Sequence, residues 1–224
     1  MKIMVCGDIH GNFGVLNKLL NKKKPDILLA CGDFGYWPKF FNKTYVDDVG
    51  QTRQWKDEIK NTKTKIYWCD GNHEDFDSLE KRTTDELWPN VFYMPRGKTM
   101  KLPDGRNVLF MGGAYSVDKA YRIAGHDWFP QEMITQKDIY NLPDEKVDIV
   151  ISHTAPKCFD FNYHIIGDKI TDSSRDALQF VFDKYKPSQW FFGHFHMFQR
   201  GTYRDCHWTL LAHSETDQQW YIEI

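Results

Sequence analysis

Residues 1–33 read MKIMVCGDIHGNFGVLNKLLNKKKPDILLACGD. Two apolar runs, Ile3–Cys6 and residues 27–31, are each followed by Gly-Asp, and we predict that both are buried β-strands. Between them, leucines recur at helical spacing. Lysines follow at the carboxyl end of this pattern, where the helix dipole favours positive charge. This stretch therefore predicts a strand, a helix that Pro25 ends, and a second strand.

The same alternation continues beyond this stretch. A third apolar run, residues 66–69, ends in Asp70-Gly71-Asn72-His73, and a polar stretch that contains Trp55 and Ile59 predicts a second helix before it. Strands that alternate with helices imply right-handed crossovers and a parallel sheet.

The second half of the chain predicts more strands and one more helix. The predicted strands are residues 99–102, residues 108–111, Ile149–Ser152, residues 190–192, residues 209–212 and residues 220–224, the last two closing the fold as antiparallel strands. Pro103-Asp104-Gly105-Arg106 separates the first two strands and is typical of a hairpin. Ser173 or Ser174 is predicted to cap the helix.

The composition is that of a globular protein rather than of a membrane or secreted one. The length of 224 residues suits one domain, 1–224, and no apolar run is long enough for a signal peptide or a membrane span. Five scattered cysteines make a disulfide scaffold improbable and favour the cytoplasm. A net charge of -2 shows no overall footprint for nucleic acid, although local basic patches leave that partner open. The sequence does not indicate an oligomeric state.

Polar residues of the metal-ligand type follow the predicted strands at once. They are Asp8 and His10, Asp33, Asn72 and His73, His153, and His194 and His196. Each of them alone has an ordinary interpretation as a turn or surface residue. Ligands gather at the carboxyl ends of strands in open α/β sheets, so five segments that share this placement predict one common site.

These motifs resemble those of the calcineurin-like metallophosphoesterases. The resemblance consists of Asp8-Ile9-His10, Gly32-Asp33, Gly71-Asn72-His73-Glu74, His153 and Gly193-His194-Phe195-His196, in the order of that family. The run from Gly112 to Lys119, Gly-Gly-Ala-Tyr-Ser-Val-Asp-Lys, also looks like that of small bacterial and phage-type members. The resemblance implies an α/β fold, a four-layer α/β/β/α sandwich of two mixed β-sheets flanked by helices.

The resemblance also implies roles for the residues of these motifs. Asp8, His10 and His196 would hold one divalent cation, Asn72, His153 and His194 would hold a second, and Asp33 would bridge the two. A metal-bridging hydroxide would then attack phosphorus, while His73 protonates the leaving oxygen or stabilises phosphate. Mixed carboxylate, amide and imidazole donors suit Mn²⁺ first, with Fe, Zn or Ni as alternatives.

The substrate is less closely defined than the reaction. The second motif lacks the Asp and Arg of protein phosphatases of this superfamily, which leaves the carboxylate partner of His73 unidentified. Tyr36 and Trp37 offer flat surfaces for a nucleobase or pack as a wall. Lys119 and Arg122 bind phosphate oxygens or form a solvated cationic turn, and Asn12 binds phosphate or caps a helix.

The favoured function is hydrolysis of phosphodiesters or nucleotides, slightly ahead of small or protein phosphomonoesters. An alternative of another class is a non-catalytic metal-binding scaffold, which would not need every ligand and His73 to be retained. A DNA-repair nuclease of the superfamily would need extra domains and a basic surface.

Overall fold

The computed structural model describes residues 1–40, 44–46, 52–54, 59–60, 63–162 and 172–224. The strands in this part of the chain are β1 Ile3–Cys6, β2 Ile27–Ala30, β3 Thr44–Val46, β4 Thr52–Gln54, β5 Lys65–Trp68, β6 Glu86–Trp88, β7 Val91–Tyr93, β8 Thr99–Lys101, β9 Asn107–Met111, β10 Ile149–Ser152, β11 Gln189–Phe192, β12 Gln199–Tyr203, β13 Cys206–Leu210 and β14 Tyr221–Glu223. The α-helices are α1 Phe13–Lys23, α2 Phe76–Glu80, α3 Gln136–Tyr140 and α4 Ser173–Tyr185, and two 3-10 helices span Lys119–Tyr121 and Pro130–Glu132.

Twelve of these strands form two mixed sheets. The first sheet has the order β14-β1-β2-β5-β7-β6, in which β1, β2, β5 and β7 are parallel. The second has the order β12-β13-β11-β10-β9-β8, in which β9, β10, β11 and β13 are parallel. The parallel sheet predicted from the first three strands is confirmed, and β3 and β4 pair separately as a short hairpin.

Alternating side chains of each sheet serve two different cores. From β1, Ile3 and Val5 face the second sheet and pack in the same core as Phe110 and Ile151. Met4, the residue between them, faces the other way and packs in the core that holds α1 and α2. A third core covers the outer face of the second sheet with the apolar side of α4. The layers are therefore helix, sheet, sheet and helix, which confirms the predicted four-layer sandwich.

The two longer helices begin and end at recognisable caps. The Asn12 side chain accepts a hydrogen bond from the Val15 amide at the start of α1, and Lys24 adopts the left-handed conformation just beyond its end. Helix α4 is capped by Asp172, whose carboxylate accepts from the Ser174 amide, rather than by Ser173 or Ser174 as predicted. An Asp at this position adds a favourable charge at the positive end of the helix dipole.

The sequence prediction of the last strands needs correction. Strand β13 begins at Cys206 and lies parallel to β11 on one side and antiparallel to the unpredicted β12 on the other. Only β14 is antiparallel in the expected way, paired to β1 in the first sheet. Of the helix predicted around Trp55 and Ile59, Trp55 lies outside the described residues, whereas Ile59 is buried in the core beside α1.

Candidate metal centre

The polar residues singled out in the sequence lie together at the edge where the two sheets meet. Loops after β1, β2 and β5 of the first sheet carry Asp8, His10, Asp33 and Asn72. Loops after β10 and β11 of the second sheet carry His153, His194 and His196.

The first candidate ligand group consists of Asp8, His10 and His196. One ligand atom from each of the three lies within 4.8 Å of the others. The His196 Nε2 atom is 3.2 Å from Asp8 Oδ2 and 3.2 Å from His10 Nε2. Metal–nitrogen bonds of about 2.0–2.1 Å bring two imidazole nitrogens to about this separation, so the group suits one cation.

The second candidate ligand group consists of Asn72, His153 and His194. The His153 Nε2 atom lies 3.0 Å from Asn72 Oδ1. The His194 ring stands edge-on to the His153 ring, with 4.9 Å between the ring centroids. An amide oxygen and two imidazoles therefore face one another across the seam between the sheets.

The Asp33 carboxylate lies between the two groups. Its Oδ2 atom is 3.3 Å from His153 Nε2 in the second group and 3.6 Å from His10 Nε2 in the first. Its Oδ1 atom accepts a hydrogen bond from the His73 amide at 2.8 Å, which holds the carboxylate in this orientation. A single carboxylate is thus within reach of both candidate cation positions.

Hydrogen bonds outside the ligand groups orient Asn72 and His153. Asn72 donates through Nδ2 to Ser116 Oγ at 3.0 Å, and Ser116 in turn donates to the buried carboxylate of Glu132. The Asn72 oxygen is therefore turned toward the site. His153 donates through Nδ1 to the carbonyl of Cys31 at 2.8 Å, so its Nε2 atom is the one that faces Asn72 and Asp33.

The backbone at the site is unusual in two ways. Four of the candidate ligand residues, His10, Asp33, His194 and His196, have positive φ angles of 43° to 69°. Glycines next to ligands also leave no room for a side chain, since a Cβ on Gly193 would lie 1.9 Å from Asp8 Oδ1. The Gly-Asp and Gly-His pairs of the sequence are therefore required by close approach as well as by the turn.

The site concentrates buried carboxylates that need a positive partner. Burial alone would raise the pKa of the Asp33 carboxyl, but the imidazoles of His153, His73 and His10 hold that pKa well below its ordinary value. Burial opposes a charged imidazole at His153, yet the Asp33 and Asp8 carboxylates raise its pKa to about 10. Cations bound here would displace such protons and take over the neutralising role.

His73 lies beside both ligand groups, and its ring is partly exposed. Its ring centroid is 5.4 Å from that of His10, and its carbonyl accepts a hydrogen bond from the Trp37 indole. Its Nε2 atom is 4.0 Å from Asp118 Oδ2. Asp118 belongs to the run from Gly112 to Lys119, so this run brings a carboxylate to the ring of His73.

A cavity of about 230 Å³ opens next to His10 and His73. Its other walls are Gly35, Trp37, Phe40 and Asp127. Tyr36 and Trp37 were predicted to stack on a nucleobase or to pack as a wall. Of these two residues, Trp37 lines the cavity. Tyr36 instead packs against the rings of Trp68 and Trp88 in the first core.

The other predicted substrate ligands lie in structural contacts. Asn12 caps α1 and donates to Glu215, which agrees with its interpretation as a helix cap. The Lys119 ammonium lies 4.1 Å from the centroid of the Trp128 ring.

Arg122 is the predicted substrate ligand that the structure disfavours most. Its side chain is only 7% exposed and its guanidinium is 3.0 Å from Glu132 Oε1 and 2.7 Å from Ser116 Oγ. It also donates to the carbonyl of Asn72 at 3.1 Å. Instead of the expected solvated cationic turn, Arg122 is a buried side chain that packs behind the candidate ligand Asn72. The buried Glu132 with which it pairs was not identified from the sequence.

Two further residues at the site, Glu74 and His213, were given no role by the sequence interpretation. Glu74 is buried, and its carboxylate accepts hydrogen bonds from the successive amides of Phe34, Gly35 and Tyr36, which fixes the loop after Asp33. His213 follows β13 at the same sheet edge and stands next to His10 and His196. In the sequence it directly follows the apolar run 209–212, which is the same signal that pointed to the other candidate ligands.

Comparisons with known proteins identify the family. The model of the calcineurin-like phosphoesterase family matches residues 1–198, so the chain belongs to this family and is a hydrolase of phosphoric esters. A search of curated proteins returned no match. Family members use divalent metals, and the carboxylate, amide and imidazole donors described above fit such ions.

Two similar solved structures agree on the fold. TT1561 of Thermus thermophilus has 11% identity and a TM-score of 0.52, over 95% of this chain and 89% of that one. GAP50, described as the anchor in the inner membrane complex of Plasmodium, has 10% identity and a TM-score of 0.51, over 98% and 74%. An archaeal phosphodiesterase also matches, with 12% identity and a TM-score of 0.44, over 100% and 99%.

In the described residues no helix combines the length and apolar character needed to cross a bilayer.

Proposed function

We propose that this protein hydrolyses phosphate esters at a dinuclear centre of divalent cations. Asp8, His10 and His196 hold the first cation, and Asn72, His153 and His194 hold the second. The observation that carries this proposal is the position of Asp33, whose Oδ2 atom lies within 3.6 Å of one nitrogen from each group. When bound, two such cations make a nucleophile from water at neutral pH and offset the charge of the phosphoryl group.

The protein's own side chains then divide the remaining work. Asp33 bridges the two positions. Its Oδ1 atom also accepts a hydrogen bond from the His73 amide, which fixes the backbone of the proton donor. His73 protonates the leaving oxygen or stabilises the phosphate, because its partly exposed ring borders both ligand groups and the cavity. Glu74 and the Ser116–Glu132 pair keep the loops that carry these residues in place.

The cavity favours a substrate with a bulky leaving group. Trp37 and Phe40 give it two aromatic walls directly beside His73, which suit the flat part of a nucleoside or of another phosphodiester substituent. We therefore propose phosphodiesters or nucleotides as the favoured substrates, ahead of phosphomonoesters. We propose Mn²⁺ as the native metal, with Fe, Zn or Ni as alternatives, and a cytoplasmic location, to which the five free cysteines are suited.

The test compares wild type with Asp33→Asn, and uses Asp205→Asn in the exposed β12–β13 turn as the control. Each protein is loaded with Mn²⁺, assayed for bound metal, and given a bis-aryl phosphodiester, an aryl phosphomonoester and a panel of cyclic and linear nucleotides. We expect Asp33→Asn to lose bound metal and at least roughly 100-fold in turnover, since even outer residues of metal sites are worth 10–100-fold. The control should match wild type.

Two results would contradict the proposal. Unchanged metal content and turnover in Asp33→Asn would remove the bridging role. A wild-type protein that binds two Mn²⁺ ions but turns over none of these esters would instead support the scaffold function.

A further inference from the structure

His213 is an additional imidazole at the centre that none of the family motifs contains. Its ring centroid lies 4.7 Å from that of His196 and 5.1 Å from that of His10. Its side chain is partly exposed, so a ligand in the cleft can reach it. It enters from the loop after β13, on the side of the first ligand group.

The loop that carries His213 is tied to the loop that carries Asp8 and His10. The Ser214 amide donates to the Asp8 carbonyl at 2.9 Å, and its hydroxyl lies 3.3 Å from the Ile9 carbonyl. Asn12 donates through Nδ2 to the Glu215 carboxylate. Three separate hydrogen bonds therefore fix the position of His213 relative to the first ligand group. Its proximity is thus a feature of the packed loops and not of a loosely placed surface segment.

The hydrogen bonding of the ring determines which chemistry it can offer. The backbone amide of Glu215 donates to His213 Nδ1 at 2.9 Å, so Nδ1 is an acceptor and the neutral ring carries its proton on Nε2. A protonated Nε2 cannot bind a cation, but it can donate to an anion. His213 thus differs from His153, whose Nδ1 donates to a carbonyl and whose Nε2 is left to act as a ligand.

We propose that His213 is a substrate-binding residue, which donates from Nε2 to a non-bridging phosphoryl oxygen on the side of the first cation. This inference rests on the proposed dinuclear centre, since the phosphate must be held there. Because Arg122 is paired with Glu132, it does not offer this contact to phosphate, and His213 supplies a part of the phosphate binding instead. The competing role, a third imidazole on the first cation, would require the hydrogen bond from Glu215 to be given up.

The test uses the Mn²⁺-loaded protein and inorganic phosphate as the probe. His213→Ala is compared with His213→Gln, whose amide can donate from near the Nε2 position. His207→Ala is the control, an exposed histidine on β13 that contacts Thr202 instead of the centre. Calorimetry measures the Mn²⁺ stoichiometry and affinity of each protein, and then its phosphate affinity.

We expect His213→Ala to keep two Mn²⁺ ions with affinity within about twofold and to bind phosphate roughly 10-fold more weakly, the usual weight of one charge-assisted hydrogen bond. His213→Gln should recover part of the loss, and His207→Ala should show none. Unchanged phosphate affinity in His213→Ala would overturn the inference in favour of a packing role, and weakened Mn²⁺ binding would overturn it in favour of a ligand role. Wild type that binds no pair of Mn²⁺ ions would contradict the proposed function first, and the inference with it.

Discussion

At the scale of single residues, four candidate ligands hold a backbone conformation that side chains other than glycine rarely adopt. His10, Asp33, His194 and His196 all have positive φ, at a cost on the order of 1 kcal/mol each. The contacts around them sustain this conformation, as the three amides of the loop after Asp33 that bond to Glu74 illustrate. All four residues lie in loops that follow strands, so the strained conformations occur where the candidate ligands converge.

A single substitution of His73 should separate metal binding from proton transfer. We expect His73→Ala to keep the Mn²⁺ content of wild type but to lose about 10²–10⁴-fold in turnover of an alkyl phosphate ester, because an alkoxide leaving group needs a proton. The loss should be smaller for an activated aryl ester, whose leaving group departs unprotonated. Equal losses on both esters, or an unchanged rate, would contradict the acid role.

At the scale of elements, the segment between β9 and α3 supports the second ligand group. The Gly113 amide donates to the Asp70 carbonyl and the Ala114 amide to the Glu132 carbonyl, each at 3.0 Å. Arg96 adds an ion pair with Asp70 at 2.6 Å and hydrogen bonds to the Gln131 and Met133 carbonyls, both at 2.7 Å. This segment is held firmly against the end of β5, which allows Ser116 to orient Asn72.

The buried Glu132 gives this segment a pH dependence. Burial is the main cause that raises its pKa to about 7, against opposing effects of Ser116 and Arg122. Because the folded pKa exceeds the unfolded value of about 4.5, the stability contributed by the protonated carboxyl is complete below pH 4.5 and is lost as the pH rises through 7.

We therefore expect the wild type to lose roughly 1–3 kcal/mol of unfolding free energy relative to Glu132→Gln between pH 5 and pH 8. Urea unfolding with a chelator present, at several pH values, measures this difference while keeping bound cations out of the comparison. Parallel pH profiles for the two proteins would show that Glu132 titrates normally.

At the scale of the whole molecule, the centre lies on the seam between two sheets. The first sheet supplies Asp8, Asp33 and Asn72, and the second supplies His153 and His194. A pair of cations would cross-link the two sheets at an edge where buried carboxylates otherwise repel each other. Binding of such a pair would therefore couple metal binding to folding stability.

Removal of metal should lower the stability of the wild type measurably. Mn²⁺ at 100 times its Kd should add about 2.7 kcal/mol. For a chain of this size that corresponds to a rise in Tm of about 5–10 °C. Thermal unfolding with Mn²⁺ and with a chelator measures the rise, and Asp33→Asn should show little of it. A Tm that does not respond to Mn²⁺ in the wild type would contradict the cross-linking of the sheets.

Much of this fold and site follows from short-range pattern in the sequence. The period-two and helical spacings around β1, α1 and β2 are local, and polar residues directly after buried strands must gather at a sheet edge. The convergence of the motif residues was predicted in this way, whereas the family and the two mixed sheets were implied by the resemblance of the motifs. The assignment of each motif residue as a ligand or proton donor stays a prediction for the experiments above.

Contacts between distant segments were decided by the tertiary structure alone. The positions of Asp118 beside His73 and of His213 beside His10 depend on how loops from different parts of the chain pack, which no local period encodes. For the same reason Arg122 turned out to brace Glu132, and β13 to lie parallel to β11. Local spacing specifies which side chains reach the edge of a sheet, whereas the packing of two sheets specifies which of them meet.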